Sequence, residues 1–421
     1  MRAVVFERVA SQILPTQPLT QRLRLFFFRM LRAVALALTL TNTIIFSRSA
    51  ANNHSTHPRN CDRPMDGIPT RQLHIAAEEH FVHHVPATYP RLCRLSDGSI
   101  LAGFTLFEPD GTRVLSIARS EDDGLTFQHR GEVTRSSGDC DNLFLLEVSP
   151  SAHDQDTVSD PPIILAAFRN HDLDDEGKPT YFRITVCQSA DGGESWTFLS
   201  QAFEKPAPMG LWEPFLHAAT GEGEIRLYFS QEMDVDDQDT MVVRSNDGGA
   251  TWSVPVCVTG GGERLRDGMV GVAKSWDERT GAKALVLVME TTRNGAFSVE
   301  AVVSRDGGET FGSRQVVYEP TQGRNAGAPQ IAAFADGSLA VVFMTDEDEE
   351  GDPRWPQGAS VKAIFASRPE DGCIAWGAPK AISDSASFWP GIMGFADDSA
   401  LAVYESCSSI RGRMLTTPMG D

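Results

Sequence analysis

Several carboxylates in this 421-residue chain stand where strongly apolar runs begin or end. Glu213 is wedged between Trp212 and Pro214, Glu290 follows ALVLVM (284–289), and Glu405 follows ALAVY (400–404). Asp141 leads into NLFLLEV and Asp267 into GMVGVA. Most of the 57 Asp and Glu are solvated charges, but an acid interrupting an apolar context calls for a partner or a use. Two such acids facing one gap can divide the work of glycoside hydrolysis. One stays protonated and gives its proton to a leaving oxygen, while the other stays ionised and attacks or activates water. Aromatic faces at Tyr89, Trp212 and Trp389 suit sugar rings. Apolar neighbours raise a carboxyl's pKa, so Glu213 is the candidate proton donor. Glu290, ending a buried run, is the candidate nucleophile. Arg91, Asp141, Trp212, Asp267 and Trp389 are candidate substrate contacts. An ion pair is the alternative for Arg91, a turn cap for Asp267 and closure packing for the two tryptophans.

Positioning these groups together requires a repeated frame, and the chain has one. Six segments share a pattern of a polar or Pro-containing start, an apolar run, a turn and a second apolar run. They begin near Tyr89, Cys140, Trp212, Arg266, Ala328 and Phe388. Runs apolar on both faces fit strands packed between neighbouring sheets. Aligning the six places Tyr89-Pro90-Arg91, Cys140-Asp141-Asn142, Trp212-Glu213-Pro214, Asp267-Gly268-Met269, Ala328-Pro329-Gln330 and Trp389-Pro390-Gly391 on one rim. Paired strands run antiparallel, so Glu290 and Glu405, at second-strand ends, join the same mouth.

A second repeat interleaves with the first. SEDDGLTF (120–127), SADGGESW (189–196), SNDGGATW (245–252) and SRDGGETF (304–311) share S-x-D-x-G-x-[TS]-[WF], with a degraded fifth copy at Ser367–Trp376. Each octet reads as a hairpin turn whose Asp and hydroxyl groups bond locally, and these turns are structural. The expected architecture is all-β, a six-bladed β-propeller without a long helix. The last blade runs short after Ser406, so Arg71–Phe81 is expected to supply its missing strand and seal the ring.

Residues 1–51 read as a signal-peptide region, with Met30 as a possible true start. Basic residues precede the uncharged run Ala33–Phe46, which is too short to span a bilayer. Residues 52–70 read as a linker, with a glycosylation sequon at Asn53-His54-Ser55, and 71–421 as one propeller domain. The expectation is a secreted, monomeric protein with no stable membrane association after signal cleavage, an uncleaved signal anchor being the alternative. The net charge of −20 excludes a basic nucleic-acid binder and favours a neutral partner, a carbohydrate. Seven Cys without C-x-x-C or His-Cys clustering suggest no metal, and no cofactor is implied. The acidic run Asp346–Asp352 reads as a solvated loop.

The octets are Asp-boxes, and the chain resembles the sialidase-like propellers that carry them. Within that group, WEPFL (212–216), RDGMVGVA (266–273), LVLVMET (285–291), YPRL (89–92), AAFRNH (166–171) and FWPG (388–391) resemble family 93 of the glycoside hydrolases, the exo-arabinanases. The likeness covers 85–407. It implies a six-bladed propeller that releases arabinobiose from the non-reducing end of α-1,5-arabinan, such as that of plant cell walls, with retention. Glu213 matches the family's acid/base and Glu290 its nucleophile. Val270 departs from the family, which often has Pro there. Exo-sialidase and a non-catalytic glycan-binding propeller are the alternatives, the former needing an arginine triad of which Arg91 and Arg169 are the only candidates.

Overall fold

The computed structural model describes residues 72–417, apart from 149–161, 220–222 and 385. The signal region and the linker lie outside these residues. Every regular element described is a strand. Blade 1 runs β3 (Ala87–Arg94), β4 (Ile100–Phe107), β5 (Arg113–Ser120) and β6 (Gln128–Ser136), after two short strands, β1 (His74–Ile75) and β2 (His80–His83). Blade 2 is β7 (Asp139–Val148), β8 (Ile163–Leu173), β9 (Pro179–Ser189) and β10 (Thr197–Pro206). Blade 3 is β11 (Leu211–Ala218), β12 (Ile225–Asp234), β13 (Asp237–Ser245) and β14 (Val256–Thr259). Blade 4 is β15 (Asp267–Trp276), β16 (Lys283–Thr291), β17 (Ser298–Ser304) and β18 (Gly312–Tyr318). Blade 5 is β19 (Ala326–Ala333), β20 (Leu339–Thr345), β21 (Ser360–Ala366) and β22 (Lys380–Ser383). Blade 6 is β23 (Ser387–Gly394), β24 (Ser399–Ser406) and β25 (Ser409–Thr416).

Each blade is an antiparallel meander, and the six innermost strands touch in sequence until β23 meets β3. This is a six-bladed β-propeller. The ring closes through chain ends: His74 pairs with Thr416 and His80 with Gly412, so β1 and β2 together form the outer edge of blade 6. Within the expected segment, His74–Ile75 and the start of His80–His83 do supply that edge, split in two. Glu79, between the two pieces, accepts the buried Tyr404 hydroxyl at 2.6 Å and pairs with Arg411, which locks the seam.

The core is not one cluster but six, each between two adjacent blades. Leu101, Leu115, Leu143 and Phe168 fill the interface of blades 1 and 2, for example, and Phe104, Ala102, Leu401 and Val403 that of blades 6 and 1. Burial on both faces explains why the inner strands read as continuous apolar runs. The four octets turn between third and fourth strands at the outer edge. In each, the Ser hydroxyl accepts a glycine N–H and donates to the Asp, whose carboxylate also takes the Thr or Ser hydroxyl, as Ser189, Asp191, Gly193 and Ser195 show at 2.5–3.0 Å. Cys93, Cys140 and Cys187 are buried free thiols, whereas Cys373 is disulfide-bonded.

Candidate active site

The innermost strand of every blade carries one irregularity at the same height. Register slips between Thr88 and Arg91, Asp141 and Phe144, Trp212 and Phe215, Gly268 and Gly271, Gly327 and Gln330, and Phe388 and Gly391. Inside each bulge one non-glycine residue is left-handed: Tyr89 (φ 54°), Asn142 (57°), Glu213 (48°), Met269 (49°), Ala328 (51°) and Trp389 (50°). Such a conformation costs about 1–3 kcal/mol and persists where the surroundings enforce it, often at functional sites. A bulge breaks strand alternation and re-aims a side chain. Five of these six residues, Ala328 excepted, line a cavity of about 540 Å³ at one mouth of the axis.

This register corrects the rim alignment. Blades 1, 5 and 6 agree with it, but the true equivalents in blades 2, 3 and 4 are Asn142, Glu213 and Met269, one or two residues further along. The residue after each is Pro90, Leu143, Pro214, Val270, Pro329 or Pro390, so Val270, 2% exposed, fills a slot that any compact apolar group can occupy. The slips move three expected contacts away from the mouth. Arg91 is buried under the cavity and donates to the carbonyls of Trp389 and Pro390 at 3.2 and 3.1 Å, stitching blade 1 to blade 6. Trp212 packs edge-on against His171 and Phe182 between blades 2 and 3. Asp267 is fully buried and held at both oxygens by Arg314 at 2.7 and 2.9 Å. None of the three lines the cavity.

Asp141 and Trp389 do line it, as do Tyr89, Arg169, Phe107, Phe388 and Glu405. Asp141 accepts the Thr105 hydroxyl and its own neighbour's N–H, at 2.6 and 2.8 Å. Arg169 lies 5.1 Å above the Trp212 ring and is engaged by Asp139, Asp141 and the Asn142 side chain. Glu405 accepts the Thr88 hydroxyl at 2.6 Å, and burial raises its pKa.

Glu213 and Glu290 form the most perturbed pair of acids. Burial first, then the charge of Glu290, pushes Glu213 up to about 8, against a hydrogen bond from Ser230 and the charges of Arg169 and Arg266. Its Oε2 is buried without a hydrogen-bond partner. Burial likewise pushes Glu290 up to about 7, opposed by the Ala328 N–H, which donates to Glu290 Oε2 at 2.8 Å, and by Arg266. Ala328 is the left-handed residue of blade 5, so Glu290 stands level with Glu213 on the axis. Arg266 is itself fixed by Glu232 and Gln238 at 3.0 and 2.7 Å. Two buried carboxyls near one another, the first harder to ionise than the second, can act as acid and nucleophile.

No family model matches the chain, and no curated protein matches it. Solved structures do. An α-L-arabinofuranosidase of Fusarium graminearum, determined with an iminosugar inhibitor, superposes with a TM-score of 0.57 at 16% identity, over 80% of this chain and 97% of that one. A Penicillium chrysogenum α-L-arabinanase complexed with arabinobiose gives 0.54 at 16%, over 82% and 98%. A protein of unknown function from Dyadobacter fermentans gives 0.59 at 15%, over 83% and 100%. The likeness shows the fold: a six-bladed β-propeller like that of the arabinofuranosidase and the arabinanase.

Of the site groups, Ser230, Arg266 and Phe107 escaped the sequence reading, and Asn142 was placed on the rim without a role. The register itself was within reach: the four prolines that follow left-handed residues mark one column, and aligning on them brings Glu213 and Trp389 to the axis, though blades 2 and 4 carry Leu143 and Val270 in that slot. Ser230 and Arg266 carry no such signal, because they reach the pair from the middle of β12 and from just ahead of β15.

Proposed function

We propose that this chain is a secreted, retaining glycoside hydrolase that acts on a neutral glycan, with α-1,5-L-arabinan cut from its non-reducing end to release arabinobiose as the favoured substrate. The observation that carries the reading is the pair of buried acids, Glu213 in the cavity wall and Glu290, which does not itself line the cavity, raised unequally and close enough for the charge of Glu290 to act on Glu213. Glu213, protonated, gives its proton to the leaving oxygen as the glycosidic bond breaks. Glu290, ionised and steadied by the Ala328 N–H, forms the bond to the anomeric carbon. Glu213 then takes a proton from water, whose oxygen displaces Glu290 and completes the turnover. Arg266 offsets part of the charge that both acids would carry.

The lining supports a neutral substrate. Asp141, Glu213 and Glu405 bring acidic groups, and among the described residues Arg169 is the only cation lining the cavity, already held by Asp139 and Asp141. An anionic sugar would need cationic partners that this wall lacks, and Arg91 is buried in the blade seam. Trp389, half-buried in the cavity wall, offers a face for a sugar ring, with Tyr89 beside it and Arg91 3.9 Å from the Tyr89 ring centroid. Product analysis on debranched arabinan, with sialyllactose as the rival substrate, tests the reading. Arabinobiose release that disappears in Glu213→Gln and Glu290→Gln supports it. Turnover of sialyllactose alone, or binding of glycan without turnover, refutes it in favour of a sialidase or a lectin-like propeller.

A further inference from the structure

The acidic run 346–352 is anchored at its start, while Asp348, Glu350 and Asp352 stay exposed as a solvated loop would have them. Asp346 is fully buried and accepts the Asn325 N–H at 2.7 Å. Glu347 takes the Thr321 N–H at 2.8 Å and the Tyr318 hydroxyl, and Asp348 takes Lys362 and Ser360 at 2.9 and 2.7 Å. Arg324 donates to the carbonyls of Asp346 and Gly351 at 3.2 and 2.6 Å. These bonds fix the base of a loop between β20 and β21 whose far side reaches inward. Pro356 and Gln357 line the cavity, and Trp355 packs beside Phe297 and against the cluster between blades 5 and 6.

Gly327 shows what Trp355 faces. A Cβ there would lie 2.5 Å from Glu290 Oε2, and 3.2 and 3.4 Å from Trp355 Cζ2 and Cη2. The carboxylate and the indole edge therefore flank the same gap, one residue before the N–H that holds Glu290. Gly327 is not among the left-handed residues, so close approach is what its missing side chain permits.

We propose that Trp355, delivered by the anchored acidic loop, is a positioning residue for Glu290: its indole edge walls off the Gly327 gap, keeps water from that flank of the carboxylate and holds it on the Ala328 N–H. The inference rests on Glu290 as nucleophile. The charged groups facing Glu290 are Glu213 from blade 3 and Arg266 ahead of β15, while blade 5 contributes the Ala328 N–H and the indole. Removing the indole admits water, which favours the ionised form and loosens its aim.

The test uses the full-length protein with Trp355→Ala, Trp355→Phe and Gly327→Ala, assayed on debranched arabinan across pH. Trp355→Ala should lower kcat by about tenfold to a hundredfold with KM changed less than about threefold, and shift the acid limb down by about one pH unit. Trp355→Phe should recover both. Gly327→Ala, which pushes on the same gap without removing the indole, should lower kcat if Trp355→Ala fails to fold. An unmoved acid limb and kcat in a folded variant overturn the proposal. If arabinan is not hydrolysed at all, urea unfolding of Trp355→Ala, Glu290→Gln and the double variant still decides: non-additivity at pH 9 that vanishes at pH 5 supports the contact, and additivity at both overturns it, independently of the catalytic reading.

Discussion

Replacing Glu213 by Gln should stabilise the protein in alkaline solution while abolishing activity. The Glu213 carboxyl has an ordinary pKa of 4.5 and is raised to about 8 in the folded chain. The raised carboxyl contributes its full stability below about 4.5; stability falls as pH climbs from there, because the unfolded chain releases its proton first. The fall is complete only above about 8. At 1.36 kcal/mol per pH unit the whole span is worth about 5 kcal/mol, and water in the cavity together with local relaxation reduces it to about 2–5 kcal/mol. Gln is the shape of the protonated acid and does not titrate. At pH 5 the variant should therefore match the parent to within about 1 kcal/mol, and at pH 9 exceed it by about 2–5 kcal/mol. Urea unfolding at both pH values, with circular dichroism to verify the fold, measures the difference. Equal stability at pH 9, or a loss there, would refute the view that this acid is held against its own ionisation. That outcome would also remove the physical basis for naming it the proton donor.

Other outcomes follow from the same geometry. The pH profile of kcat/KM should be bell-shaped, with an acid limb near 7 from ionisation of Glu290 and a basic limb near 8 from loss of the Glu213 proton, both belonging to the coupled pair. A plateau reaching down to pH 5 would contradict it. Asp267→Ala removes two bonds from Arg314, which keeps Glu300 and Thr291 as partners, and should cost about 1–3 kcal/mol in urea unfolding, with KM for arabino-oligosaccharides nearly unchanged; a large KM effect in a stable variant would return Asp267 to the substrate. Deleting residues 72–83 removes the strands that pair with β25 and should leave no cooperative unfolding transition, which calorimetry would show.

Much of the frame was legible in the chain. The octets announce turns because Asp, Gly and hydroxyl groups satisfy one another within eight residues, a purely local arrangement. The paired apolar runs announce strands buried on both faces, and a missing run at one end announces closure by the other. Glu213 and Glu290 stood out because each interrupts such a run. Asp267 and Arg91 interrupt runs too, yet their partners are Arg314, 47 residues on, and carbonyls of Trp389 and Pro390, about 300 residues on. Context alone could not separate acids that face the cavity from acids that meet a cation.

Local composition thus determined how many blades the chain makes, where each turns, and which acids lie in apolar surroundings. Which of those acids face the axis was decided by the tertiary structure. Six bulges, each with one left-handed residue, shift the strands by a single step, and one step moves a side chain from the seam between blades to the cavity. That step is enforced by neighbouring blades pressing on the inner strand, a constraint no short stretch of sequence contains. Trp355 makes the same point: only the packing of blade 5 on blade 4 carries a tryptophan from an acidic loop to the flank of a glutamate on the neighbouring blade.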